Sequence, residues 1–214
     1  MINKKLFLSG GGDALSAKEI DYLYGSLLGS GAKVLYLPIA QGELSSYEAC
    51  LGWFRETYKE FDFEITMITD LSKCNSDYLN NFDSVYIGGG NTFYLLNVIK
   101  EAGFIKFLTD FINSGKVVYG GSAGAIILGK DIRTASLGNH PDLNEVGISD
   151  FSGLNVINSF TIHCHYNKDE YLELNQFAED NAFNVLALSE ESGLFIDGDE
   201  INFIGEVGRF TSGD

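Results

Sequence analysis

Residues 120–124 read Gly120-Gly121-Ser122-Ala123-Gly124, between two short apolar runs, Val117-Val118-Tyr119 and Ala125-Ile126-Ile127-Leu128. A G-x-S-x-G pentapeptide between a strand and a helix has a mechanical meaning. The turn is too sharp for bulky neighbours, and it presents the serine hydroxyl at the end of a sheet as a nucleophile. Such a serine needs a base, and the chain has three histidines, His140, His163 and His165. His163 and His165 are two apart in an alternating stretch, Phe160 to His165, so a strand would place them on one face. The later residue lies nearer the strand's carboxyl end, which favours His165. An oxyanion hole needs two convergent N–H donors. Ala123, just after the serine, supplies one, and a glycine of Gly88-Gly89-Gly90 is the natural source of the second.

The elements around these residues alternate. Leu6-Phe7-Leu8, Val34-Leu35-Tyr36-Leu37, Phe63 to Ile68, Val85-Tyr86-Ile87 and Val117-Val118-Tyr119 have the short apolar character of buried strands. Helical patterns separate them. The first starts at Ser16, which has capping-box spacing to Glu19, and sets Ile20, Leu23, Tyr24, Leu27 and Leu28 on one face. A second capping box, Ser45 to Glu48, starts another helix, and further helices cover Thr92 to Ala102 and Ile105 to Asn113. The pattern implies an α/β fold with a doubly wound, mainly parallel sheet and helices on both faces. Beyond residue 130 the pattern weakens. It resumes with the strand carrying His163 and His165, a helix over Lys168 to Asn181, the strand Val185-Leu186-Ala187-Leu188 and a C-terminal hairpin around Asp197-Gly198-Asp199.

At 214 residues with two prolines and no low-complexity tract, residues 1–214 are expected to form one domain. Thirty acidic against fourteen basic residues give a formal net charge of −16, which repels nucleic acid and anionic membranes. Three cysteines without a C-x-x-C pair suit a reducing, cytoplasmic setting. The apolar run after Lys4-Lys5 is too short for a signal-peptide core, and no run reaches membrane-spanning length. The glycine loops at Gly10 and Gly88 begin a G-x-G pattern, but Leu15 and Phe93 stand where a dinucleotide fingerprint needs its third glycine.

Ile87-Gly88-Gly89-Gly90-Asn91-Thr92-Phe93, the stretch Gly120 to Ala125, and Ile132-Arg133-Thr134 together resemble the dipeptidase E family of serine peptidases, or aspartyl dipeptidases, relatives of the cyanophycinases. The resemblance implies a fold like that of class I glutamine amidotransferases, with serine in place of their cysteine. It also implies Ser122 as nucleophile, His165 as base, Gly90 and Ala123 as oxyanion donors, and neither cofactor nor metal. The implied substrates are small peptides, typically dipeptides with an N-terminal aspartate. Arg133, in the family's Ile-Arg-Thr, would pair with a substrate carboxylate, the alternative being a structural ion pair. Ser189-Glu190 matches a Pro-Glu pair that makes Glu190 a third catalytic member.

The chain departs from the family twice. Gly121 stands where a tryptophan is usual, and Leu137 stands where an acid is usual, so Asp142 or Asn139 is also open as the orienting group. Two other readings stay open beside the peptidase: a non-catalytic small-molecule-binding module, and a metal-dependent hydrolase in which His163 and His165 bind metal with an acid or Cys164. Assembly as a homo-oligomer is left open.

Overall fold

The computed structural model describes residues 4–44 and 47–212. The apolar runs form the strands of a central sheet: β1 (Lys5–Ser9), β2 (Lys33–Leu37), β3 (Glu64–Met67), β4 (Ser84–Ile87) and β5 (Val117–Gly121), all parallel. Between them run α1 (Lys18–Leu28), α2 (Tyr47–Thr57), the short α3 (Ser76–Leu79), α4 (Thr92–Glu101) and α5 (Phe104–Asn113). α6 (Ala123–Leu128) follows β5 after a single residue, Ser122. The chain then builds β6 (Phe160–His163), α7 (Tyr171–Asn181) and β7 (Asn184–Leu188), the hairpin β8 (Gly193–Asp197) and β9 (Glu200–Ile204), and β10 (Val207–Phe210).

The sheet order is β3-β2-β4-β5-β1-β8-β9, with the hairpin added antiparallel beside β1. The α/β expectation and the C-terminal hairpin therefore hold. A second, three-stranded sheet, β10-β7-β6, carries the strand that ends at His163 just before His165, and the sequence pattern had not separated it from the main sheet.

Each central strand feeds two cores. Leu6, Leu8, Leu35, Leu37, Val85, Ile87 and Val118 pack with α4, α5 and α6. Their alternates Phe7, Val34, Tyr36, Tyr86, Val117 and Tyr119 pack with α1 and α2 in a largely aromatic layer. This is the period-two alternation of strands buried on both faces.

α1 corrects the helical reading in two ways. It starts at Lys18 without a side-chain cap, because Asp13 accepts hydrogen bonds from the Leu15 and Ser16 N–H and the Ser16 hydroxyl. Its buried face is Ile20, Asp21, Tyr24 and Gly25, while Leu23 and Leu27 are exposed. An apolar-stripe reading had no way to place a carboxylate inward. Ser45, the expected cap of α2, lies outside the described residues.

The turn from β5 into α6 sets the position of everything downstream. A Cβ on Gly124 would lie 2.2 Å from the Ile87 carbonyl oxygen, so α6 reaches β4 only because that atom is missing. Gly124→Ala should push the two elements apart and destabilise the fold by about 1–3 kcal/mol, read as a lower urea midpoint. A midpoint equal to wild type would contradict this packing.

Candidate active site

Ser122 occupies the tip of that turn with φ 49° and ψ −113°, a strained backbone for a residue with a side chain. Bonds on both sides hold it there. Its N–H donates to Ser9 O at 3.0 Å, and its carbonyl accepts from Ala125 N at 2.8 Å and Ile126 N at 3.0 Å. The hydroxyl projects beyond the carboxyl ends of β1, β4 and β5, where ligands bind in open α/β sheets.

His165 lies across from it. β6 ends at His163, and His165 turns to φ 56°, so the two histidines do not share a strand face. The His165 N–H donates to Gly10 O at 2.9 Å. Its Nε2 is 2.9 Å from Ser122 Oγ and its Nδ1 is 3.1 Å from Glu190 Oε1. With Nδ1–H donating to the carboxylate, Nε2 is left to accept the serine proton. Gly11 makes room for this: at φ 101° it carries no Cβ, and one there would lie 2.5 Å from the imidazole Cε1 and 2.8 Å from Ser122 Cβ.

The turn bearing Glu190 is fixed from both ends. Ser192 N donates to Ser189 O at 3.0 Å, Tyr166 N to Leu188 O at 3.0 Å, and Gly10 N to Ser192 O at 3.1 Å. The Glu190 side chain itself is half exposed.

Gly90 and Ser122 line a cavity of about 390 Å³ with Ile126, Thr134, Leu137, His140, Asp142 and His165. The loop before α4 is held by Asn91 N donating to Ala40 O at 2.8 Å and Gln41 Nε2 donating to Gly89 O at 2.9 Å. Among the described residues the Gly90 N–H has no acceptor. The Ala123 N–H, at the first position of α6, lies where a helix offers no internal acceptor. Chemically the arrangement is a hydroxyl, a base with an acid behind it, and N–H groups with no partner among the described residues, around a space that admits a small ligand.

Other sequence-singled residues lie elsewhere. Arg133 is turned from the cavity: it pairs with Asp131 at 2.9 Å, donates to Asn181 Oδ1 at 2.8 Å and lies against Phe177 and Phe183. Asp142 accepts from Thr92 N at 2.8 Å, and Asn139 contacts Asp169 and Glu170, so Glu190 is the carboxylate against His165. His163 is buried with Nδ1 3.1 Å from Thr134 O and Nε2 3.2 Å from Glu170 Oε2, which corrects its pairing with His165 as a metal site. Cys164 is buried, which raises its thiol pKa, and its Sγ lies 3.5 Å from Ser122 O and 3.7 Å from Ser9 O.

Residues 6–204 match the profile of peptidase family S51. The chain belongs to peptidase family S51. A peptidase E of Shewanella denitrificans is 28% identical over 183 residues, 81% of this chain and 74% of that one. An uncharacterized peptidase of Listeria monocytogenes is 30% identical over 128 residues, 58% of this chain and 60% of that one, so the match spans less than two thirds of that relative. A solved Listeria monocytogenes structure, provisionally described as peptidase E, superposes with TM-score 0.73 at 24% identity, over 94% of this chain and 97% of that one, and shows the fold. Membership makes the chain a peptidase. Among the described residues no helix is long and apolar enough to cross a membrane.

Sequence reasoning missed Glu170, a buried carboxylate that ties the site's loops together. It accepts from Asn139 N at 2.8 Å and Asn167 N at 3.1 Å and faces His163. Burial raises its pKa, but these hydrogen bonds outweigh it and hold the carboxyl below its usual 4.5. A carboxyl lowered on folding stabilises above the unfolded value, and that stability fades as pH falls from there through the folded value. Glu170→Gln should therefore cost about 1–3 kcal/mol at pH 7, with the gap to wild type shrinking below pH 4.5. Urea unfolding at several pH values measures it, and a gap that does not change with pH would contradict the assignment.

Proposed function

We propose that this S51 peptidase hydrolyses small peptides through a serine acyl-enzyme. The observation that carries the reading is the contact chain Ser122 Oγ, His165 Nε2, His165 Nδ1, Glu190 Oε1, at 2.9 and 3.1 Å. Ser122 Oγ attacks the scissile carbonyl while His165 Nε2 takes its proton, then returns it to the departing amine. The N–H groups of Gly90 and Ala123 receive the oxyanion, with Gly90 lining the same cavity as the serine. A water activated by His165 then releases the acid product. Glu190 fixes the imidazole tautomer and balances the imidazolium, and solvent weakens that balance because the side chain is half exposed.

A preference for N-terminal aspartate, which the family resemblance implies, would need a cation. Among the described residues no lysine or arginine lines this cavity, which leaves His140 as the group placed to meet an acidic side chain.

Steady-state hydrolysis of a dipeptide panel tests the assignment. Ser122→Ala and His165→Ala should each lower kcat/KM by about 1,000-fold or more. Glu190→Gln should cost far less than the roughly 10,000-fold seen for a buried triad acid. Retained activity in Ser122→Ala, or loss of wild-type activity to a chelator, would overturn the serine mechanism.

A further inference from the structure

Ser122 also borders a second cavity, of about 180 Å³, on the opposite side of β5 from the α6 core. At about 30 Å³ per water this is room for roughly six waters, the scale of one long side chain. Its walls are aromatic. Tyr36, Tyr86, Tyr119 and Trp53 line it, with Tyr86 stacked on Tyr119 at 4.3 Å and Trp53 set at 6.4 Å from Tyr86. Its floor includes Asp21, only 6% exposed. Tyr119 and Tyr58 hydroxyls both donate to Asp21 Oδ1, at 2.6 and 2.8 Å, and among the described residues Oδ2 has no partner.

Gly121 keeps the cavity open. It lines the space, and a Cβ there would meet only Tyr86 Oη at 3.5 Å and Tyr119 Cε1 at 3.7 Å. A large side chain at this position would fill the cavity.

Burial raises the Asp21 pKa, against the two tyrosine donors that lower it. A cation beside it would offset that cost, so aromatic faces around a buried carboxyl are the chemistry that selects a cation. We propose that this cavity is a specificity pocket for a basic side chain, ammonium or guanidinium, of the peptide cut at Ser122. The substrate part rests on the serine-peptidase reading. Distance favours a side chain over the peptide's α-ammonium. Asp21 is held at the tip of Tyr119, whose Cα is about 10 Å along the strand from Ser122. An α-ammonium stays two bonds from the scissile carbon, whereas a lysyl or arginyl chain spans the gap.

Calorimetry on full-length Ser122→Ala tests binding without turnover, using n-butylguanidinium and its neutral counterpart n-butylurea. The cation should bind about tenfold tighter or more, and Asp21→Asn in the same background should remove the difference. Gly121→Trp, which leaves Asp21 in place, should abolish binding of both, and it decides the matter if Asp21→Asn does not fold. Equal binding of the two probes, an unchanged preference in Asp21→Asn, or retained binding in Gly121→Trp would overturn the pocket. Wild-type kcat/KM should also be higher for Lys-Ala or Ala-Lys than for Ala-Ala, and equal rates would overturn the substrate assignment. Cation preference without hydrolysis of any peptide would instead remove the peptidase mechanism and leave the pocket standing.

Discussion

Ser122 is held in a left-handed backbone conformation, at φ 49°, that a serine adopts only when its surroundings over-determine it. Those surroundings are close backbone approaches. α6 lies against the Ile87 carbonyl, and the Ser122 N–H is tied to Ser9 O on the neighbouring strand. The same few ångströms that force the strain aim the hydroxyl out of the sheet and place the Ala123 N–H beside it. The two cores stiffen this arrangement, since alternate residues of each central strand anchor helices on opposite faces.

The base reaches the serine by a different device. His165 follows the end of β6 in the second sheet, and its position depends on the Gly10–Gly12 loop, which lies against both the imidazole and the turn that bears Glu190. Gly10 donates to Ser192 and accepts from His165, so one residue links the base to the segment carrying its acid. Glu170 does similar work deeper down, holding Asn139 and Asn167 together beneath the cavity. The dyad's geometry is thus set by backbone hydrogen bonds, with the half-exposed carboxylate of Glu190 adding a screened charge.

The α/β architecture was legible because buried parallel strands and amphipathic helices leave strong local patterns. The serine turn was legible because its steric demand restricts which residues flank it. Arg133 misled because sequence proximity to the serine says nothing about which way a side chain points, and Asp131 two residues earlier captures it. His163 and His165 misled because strand alternation was extended past the end of β6. Asp21 was invisible because an apolar-stripe reading places leucines inward, whereas two tyrosines, Tyr58 just after α2 and Tyr119 on β5, created a site where a carboxylate could be buried with donors. Gly11 has no local signature; its role appears only when the imidazole is seen against it.

The most direct test of the central claim is covalent labelling of the intact wild-type protein with a fluorophosphonate, followed by peptide mass mapping. Activation of Ser122 by His165 predicts one adduct, on the peptide carrying Ser122, that disappears in His165→Ala while a denatured control takes up none. No adduct on the folded protein, or equal labelling in His165→Ala, would contradict it.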